Sequence, residues 1–445
     1  MTNGPMGRPP NGEHPERADV PLMPHATEYT GRYVVLLDQQ ETERGLDALR
    51  SSAGIASVER VRGTEPAGAA ELLQRPDVSV LFDELGAAVV EVQPDQRHTL
   101  VTAAQTEPTI IAAEPERRVY ASVITEPQRT LTGFFPTYRS DEAEVDRHTR
   151  AELAAALGPA WDEQNTTWGL QAIRANLSHL TGRGVKVAVL DTGVATGHPD
   201  LAGCIELTAS FVPGSSVEDG HGHGTHCIGT IAGPAKPAHA PRYGVAGEAR
   251  ILVGKVLDDR GTGSDGQILA GMAWAVAHGA RVISMSLGAP VAPGELYPLT
   301  YEKATHRALH QHRAVTVAAA GNESQRPGFI APVGRPANCP SILAVAALGK
   351  ELGTAFFSCG AINGEGGEVN IAAPGVDVFS AARDGKYQTM SGTSMACPHA
   401  AGVLALIAQA APEASGPGLQ SRLISGAYPL PLPARDVGAG LLQAP

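Results

Sequence analysis

The 445-residue sequence is short of cysteine, of basic charge and of long apolar runs, and each shortage removes a class of protein. Its five cysteines, Cys204, Cys227, Cys339, Cys359 and Cys397, are scattered with no C-x-x-C spacing. Such an odd, sparse set is no disulfide framework and fits free thiols in a reducing compartment. Lys and Arg number 34 against 46 Asp and Glu, a formal net charge of −12. Nucleic acids and anionic membrane surfaces are held by Lys/Arg patches, so neither is expected as a partner. The longest apolar run, residues 268–277, falls well short of the ~20 residues that a membrane span needs. The polar, Pro/Gly-rich start has no apolar signal-peptide region. The expectation is a cytoplasmic protein, or one exported by a non-standard route.

What is present supports a sizeable core. Apolar residues make up 43% and charged residues 18%, and the length suggests two or three domains. Residues 1–30 lack apolar periodicity and read as a disordered tail. Residues 31–121 read as a small α+β domain. Strands are expected at 31–37, 56–61, 78–82, 87–92 and 108–113, with helices at 41–52 and 95–105. That order matches the split βαβ, ferredoxin-like arrangement. Residues 122–165 form a charged connector with a short helix in its middle. From 166 to 445, apolar runs at 185–190, 251–257, 282–285, 314–319 and 342–346 alternate with helix-length segments. That pattern predicts an α/β domain whose parallel sheet is covered by helices on both faces.

Ligand sites in such sheets form beyond the carboxyl ends of the strands. Asp191 stands at the tip of VKVAVLDTG. The segment Asp219-Gly220-His221-Gly222-His223-Gly224-Thr225-His226 opens an apolar helical stretch. Ser394, in SGTSMACPH, sits at the start of a helix, where free N–H groups and the dipole favour developing negative charge. An Asp, a His and a Ser can form a nucleophilic triad. A serine hydroxyl needs an imidazole to take its proton and a carboxylate to fix the imidazole tautomer. Spacing alone leaves the matter open, because a lone Asp at a strand end is usually a cap and a lone buried His is usually a core residue.

The strings AVLDTGVATGHPDL, GHGTHCIGTIAG and SGTSMACPHAAGVLAL resemble the three signature segments of the subtilases, the subtilisin-like serine peptidases. The order Asp, His, Ser is the established order of subtilisin. The resemblance covers about 280 of the 445 residues. It implies a subtilisin-like sheet and a serine endopeptidase that forms an acyl-enzyme. Carried over residue by residue, Asp191 orients, His223 is the general base and Ser394 the nucleophile. In AAAGNES, Asn322 donates to the oxyanion beside the Ser394 N–H. His198, His221, His226 and His399 read as structural, and Cys227 as a thiol near the base.

The same resemblance places substrate between two backbone strands, Ser286-Leu287-Gly288 and Ser264-Asp265-Gly266. Ala319, Ala320 and Gly321 would wall the main pocket, with Gly334 at its base. Small residues there predict a preference for large apolar side chains, and Glu323 at the rim could admit a basic one. No cofactor is expected. Asp200 matches a calcium-ligating position of many family members, but the loop AGPAKPAHAPRYGVAG lacks their Asn-rich ligand set, so calcium stays open. The first domain resembles the inhibitor propeptide of the family. Glu116-Arg117-Arg118-Val119-Tyr120-Ala121 would then lie in the cleft as an intramolecular substrate mimic. Two other readings compete. An α/β-hydrolase esterase would order its triad Ser, Asp, His within G-x-S-x-G, whereas here the serine comes last, in GTSMA. A catalytically silent binding protein would have no need of all four site residues.

Overall fold

The computed structural model describes residues 28–55, 57–75, 77–124 and 161–445. Residues 1–27 of the expected tail, Ala56 at the start of the second expected strand, and 125–160 of the expected connector lie outside them.

The first domain is a sheet apolar on both faces. Its strands are β1 (Tyr29–Leu37), β2 (Val58–Val61), β3 (Ser79–Phe82), β4 (Ala87–Val90) and β5 (Ile110–Ala121). They lie in the order β5-β1-β4-β3-β2. Only β2 and β3 run parallel; the other neighbours are antiparallel. Side chains alternate across a strand, so Val35, Leu37, Leu81, Ala88 and Val90 point one way. They pack under α1 (Thr42–Ala53) and α3 (Arg97–Thr106). Val34, Leu36, Val80, Phe82, Ala87 and Val89 point the other way and join the core of the larger domain. α2 (Pro66–Gln74) lies on that second side. The expected split βαβ order therefore needs two amendments. A helix fills the interval after β2, where Pro66 at the first turn supplies a preset φ. The last strand also runs to Ala121 rather than ending at 113, because its second half finds partners in the other domain.

The larger domain holds a seven-stranded, all-parallel sheet. Its strands are β6 (Lys186–Asp191), β7 (Ile205–Ser210), β8 (Arg250–Lys255), β10 (Val282–Met285), β12 (Val315–Ala319), β13 (Ile342–Leu348) and β14 (Ile371–Pro374). The order across the sheet is β14-β13-β12-β10-β6-β8-β7. β10, β12 and β13 are buried at every position, as a sheet covered on both faces requires. The covering helices include α5 (His223–Ala232), α6 (Asp265–Ala277), α7 (Leu299–Gln311) and the 18-residue α8 (Thr393–Ala410); the short α4 (Trp168–Ala172) precedes them in the chain. Two short strands, β9 (Thr262–Ser264) and β11 (Leu287–Gly288), stand apart from this sheet and pair with β5. The expected connector also ends differently. Trp161 donates its indole N–H to the Lys350 carbonyl at 2.8 Å, so the chain from 161 onward already packs on the larger domain. Among the described residues, no helix is long and apolar enough to cross a membrane.

Candidate active site

Asp191 is the last residue of β6 and is buried. Its Oδ1 accepts the Thr192 N–H and faces His223 Nδ1, both at 2.7 Å. His223 is the first residue of α5, brought there by Gly222, whose φ of 98° suits glycine. A Cβ on Gly224 would lie 2.3 Å from the Gly193 carbonyl, so only glycine lets the DTG and HGTH segments approach this closely. Burial works against a charged imidazole at His223. The Asp191 carboxylate outweighs it, by its charge and its hydrogen bond, and raises the His223 pKa above the ordinary value.

Asp219, quoted above only as part of its segment, ties the two together. Its Oδ1 accepts the Thr192 hydroxyl and the N–H groups of His221 and Gly222, and its Oδ2 accepts the N–H and hydroxyl of Thr225. Burial would raise its pKa, but these bonds win and lower it. The signal was available in the sequence: an acid four residues before a Gly-flanked histidine at a helix start has loop N–H groups to accept.

Ser394 is the second residue of α8 and is buried. Its hydroxyl donates to the Ser286 carbonyl at 2.9 Å, and the Ser286 hydroxyl donates to the Ser394 carbonyl at 2.9 Å. His223 Nε2 has no hydrogen-bond partner among the described residues. So Asp191 and His223 are joined, while the Ser394 hydroxyl is turned to Ser286. Asn322 stands beside it. The Asn322 side-chain oxygen accepts the N–H and the hydroxyl of Thr393, each at 2.9 Å, which aims its amide nitrogen. That nitrogen donates to the Ser122 hydroxyl at 3.0 Å.

The other histidines have structural partners. His226 Nε2 meets the Val378 carbonyl at 3.0 Å, and burial lowers its pKa to about 3. His399 Nδ1 meets the Met395 carbonyl at 2.7 Å, and burial lowers its pKa to about 4. His198 packs in the turn before Pro199, its Nε2 2.9 Å from the Lys386 carbonyl. His221 is half-buried edge-on to His223, with its pKa lowered by burial and by that neighbour. Cys227 Sγ lies 4.0 Å from His223 Nδ1, and burial raises its pKa well above the ordinary value, which keeps it a thiol. All five cysteines are free and buried.

A peptide segment of the chain itself fills the cleft. β5 lies between β9 and β11, antiparallel to both. Tyr120 is opposite Gly288 and Thr262, and Ala121 is opposite Leu287. On one side the expected strand is placed as read, Ser286-Leu287-Gly288. On the other side it is displaced. The pairing residues are Thr262, Gly263 and Ser264, with the Gly261 carbonyl accepting the Ala121 N–H at 2.9 Å. Asp265 and Gly266 instead open α6, because the Ser264 hydroxyl caps that helix. They still touch the segment: Asp265 Oδ2 accepts the Arg117 N–H, and the Gly266 N–H reaches Glu116 at 2.9 Å. The alternating glycines of Arg260-Gly261-Thr262-Gly263-Ser264 were the signal for that edge. Ala319 ends β12, Ala320 and Gly321 follow it, and the Gly334 N–H donates to the Ala320 carbonyl at 2.9 Å. Ala289 and Arg335 exchange backbone bonds at 2.9 Å, joining the wall that carries Gly334 to the strand that carries Gly288. Glu323 accepts the Cys359 thiol at 3.1 Å.

The residues at the expected calcium position do not fit that ion. Asp200 Oδ2 accepts the phenol hydroxyls of Tyr243 at 2.8 Å and Tyr387 at 2.9 Å. A hard cation needs six or more oxygens, whereas here an aromatic group surrounds the one carboxylate. Tyr243, Tyr387 and Phe379 pack at 5.3–6.1 Å between ring centres.

Comparison with known proteins agrees with this geometry. The subtilase family profile matches residues 182–440. The chain is 39% identical to Subtilisin Savinase of Lederbergia lenta over 285 residues, 63% of this chain and 98% of that protein. It is 40% identical to M-protease of Shouchella clausii (strain KSM-K16) over 264 residues, 58% of this chain and 64% of that one. It is 39% identical to Subtilisin E of Bacillus subtilis (strain 168) over 269 residues, 59% of this chain and 66% of that one. With its Asp–His pair and helix-borne serine on a parallel sheet, the chain belongs to the subtilase family of serine endopeptidases.

Proposed function

We propose that the chain cleaves polypeptides through an acyl-enzyme on Ser394 and that residues 31–121 act as its built-in inhibitor. The observation that carries the second point is β5, seated between β9 and β11 as an added strand. Strand addition gives affinity through the main chain, largely independent of sequence, so an extended substrate would take the same place. In the reaction the Ser394 hydroxyl leaves Ser286 by a jump between staggered χ1 positions and gives its proton to His223 Nε2. Asp191 holds the tautomer and stabilises the cation. The Asn322 amide and the Ser394 N–H would receive the oxyanion, near the positive end of α8. No cofactor enters these steps. The small residues 319–321 and 334 favour large apolar side chains before the cleaved bond.

The first domain is held by charge as well as by strand pairing. Glu114 accepts the N–H groups of Leu299 and Thr300 at the start of α7, and Glu116 accepts that of Gly266 at the start of α6. Arg307 of α7 donates to the Leu37 and Leu85 carbonyls. The test is casein hydrolysis by the full chain beside Ser394→Ala and the Glu114→Ala/Glu116→Ala double variant. The wild type should be slow, the double variant several-fold faster, and Ser394→Ala silent. Activity that survives Ser394→Ala removes the nucleophile assignment. A double variant no faster than wild type removes the inhibitor assignment.

A further inference from the structure

We propose that the Ser122–Val123 peptide bond is the bond this chain cuts in itself, and that the Ser122 hydroxyl delays the cut by engaging the Asn322 amide. The inference rests on the reading of Ser394 as nucleophile and deepens it.

The register of the docked segment selects the bond. The Ala121 N–H is held by Gly261, and the Ser122 N–H donates to the Ser286 carbonyl at 3.3 Å. The Ser394 hydroxyl donates to that same oxygen at 2.9 Å. Two donors on one acceptor place the nucleophile beside the Ser122 backbone. Beyond it, the Ile124 N–H donates to the Ser391 carbonyl at 3.0 Å, so the chain is gripped on both sides of the serine. Gly392 marks the space between. A Cβ there would lie 2.8 Å from the Ser122 carbonyl oxygen and 3.3 Å from both Val123 Cα and Asn322 Nδ2.

The same contacts show why this arrangement is unproductive. The Asn322 amide donates to the Ser122 side-chain oxygen, and Thr393 Oγ1 lies 3.3 Å from that oxygen. An oxyanion donor works only when aimed at the carbonyl oxygen, where charge develops. The serine side chain is also too small to fill the substrate pocket proposed at residues 319–321 and 334.

When the Ser122 hydroxyl turns off the Asn322 amide, the amide is free for the carbonyl. Ser394 Oγ then adds to the Ser122 carbonyl carbon while its proton passes to His223 Nε2. The Ser122–Val123 C–N bond breaks, and His223 returns the proton to the Val123 nitrogen. Water hydrolyses the ester, which leaves a carboxylate on Ser122 and restores Ser394.

Intact mass is followed with time for the wild type, Ser122→Ala, Ser122→Thr and Ser394→Ala, each also labelled with a fluorophosphonate. The expected first products end at Ser122 and begin at Val123. Ser122→Ala should cut the same bond at least roughly tenfold faster, since one oxyanion donor carries about 10²–10³ in rate. Ser122→Thr keeps the hydroxyl and should stay near the wild-type rate, and Ser394→Ala should stay whole. A first cut at another bond overturns the inference, as does a Ser122→Ala variant no faster than wild type. So does labelling at Ser394 with no self-cleavage in any variant. If Ser394 takes no label and casein stays intact for all variants, the underlying nucleophile reading falls with it.

Discussion

Burial strips His223 of water, and Asp191 puts a fixed charge in its place. The net effect raises the His223 pKa. A base must be neutral to act, so activity should appear as pH rises through that raised value. Asp191→Asn removes the charge and presents the wrong hydrogen-bonding edge to Nδ1. The acid limb of kcat/KM should then move to lower pH while the plateau falls by roughly 10³–10⁴. A limb that stays in place in the variant would mean that another group sets it. At this scale the sequence was most informative. Asp191, His223, Asn322 and Ser394 each sit in a Gly-flanked string whose backbone demands are local. Asp219 was less legible, because its role depends on bringing Thr192 and Thr225 to one carboxylate across a fold. The orientation of the Ser394 hydroxyl was not legible at all, since it is set by Ser286, more than a hundred residues away in the chain.

The contact between β5 and the start of α6 joins two elements from different domains through buried acids. Asp265 accepts both the Arg117 N–H and the Arg335 guanidinium, the latter at 3.0 Å. Burial raises its pKa to about 6, and the nearby Glu116 pushes the same way, against the lowering pull of Arg335 and Arg117. The protonated acid is thus favoured in the docked form. Its contribution to docking is fully present below the ordinary value near 4 and is lost as pH rises through about 6. In Ser394→Ala, hydrogen exchange of the β5 amides should therefore quicken between pH 4 and pH 7 beyond the intrinsic base catalysis. Asp265→Asn should flatten that excess. An unchanged excess in the variant would shift the cause to other interface groups. The sequence pointed to 116–121 as the inserted segment, but it placed the second receiving strand at 264–266. Ser264 explains the displacement: a residue that ends a strand and caps a helix reads equally well as either.

Across the whole molecule, the first domain is a sheet with one face completed by the larger domain. Within the first domain only α2 lies over Val34, Leu36, Val80, Phe82 and Val89, so undocking would return part of this apolar surface to water, which ties the stability of the domain to its docking. Short apolar runs read as strands without revealing how many faces they bury, which is why this two-sided cover was not legible. The larger domain has its own tie at Asp200. Two phenols end on one carboxylate oxygen inside an aromatic cluster, and Tyr243 is buried. A calcium ion on that oxygen would have to displace both donors, and the buried Tyr243 phenol would be left unpaired at about 1–3 kcal/mol. The network therefore replaces what a bound cation would supply, and melting of Ser394→Ala should shift by less than ~2 °C between a chelator and millimolar calcium. Asp200→Ala should lower Tm by roughly 2–4 °C, since the buried phenol of Tyr243 loses its acceptor, and calcium should not restore it. A large calcium-dependent rise in the parent that disappears in Asp200→Ala would reverse the argument, making the tyrosine contacts a substitute adopted only when the ion is absent.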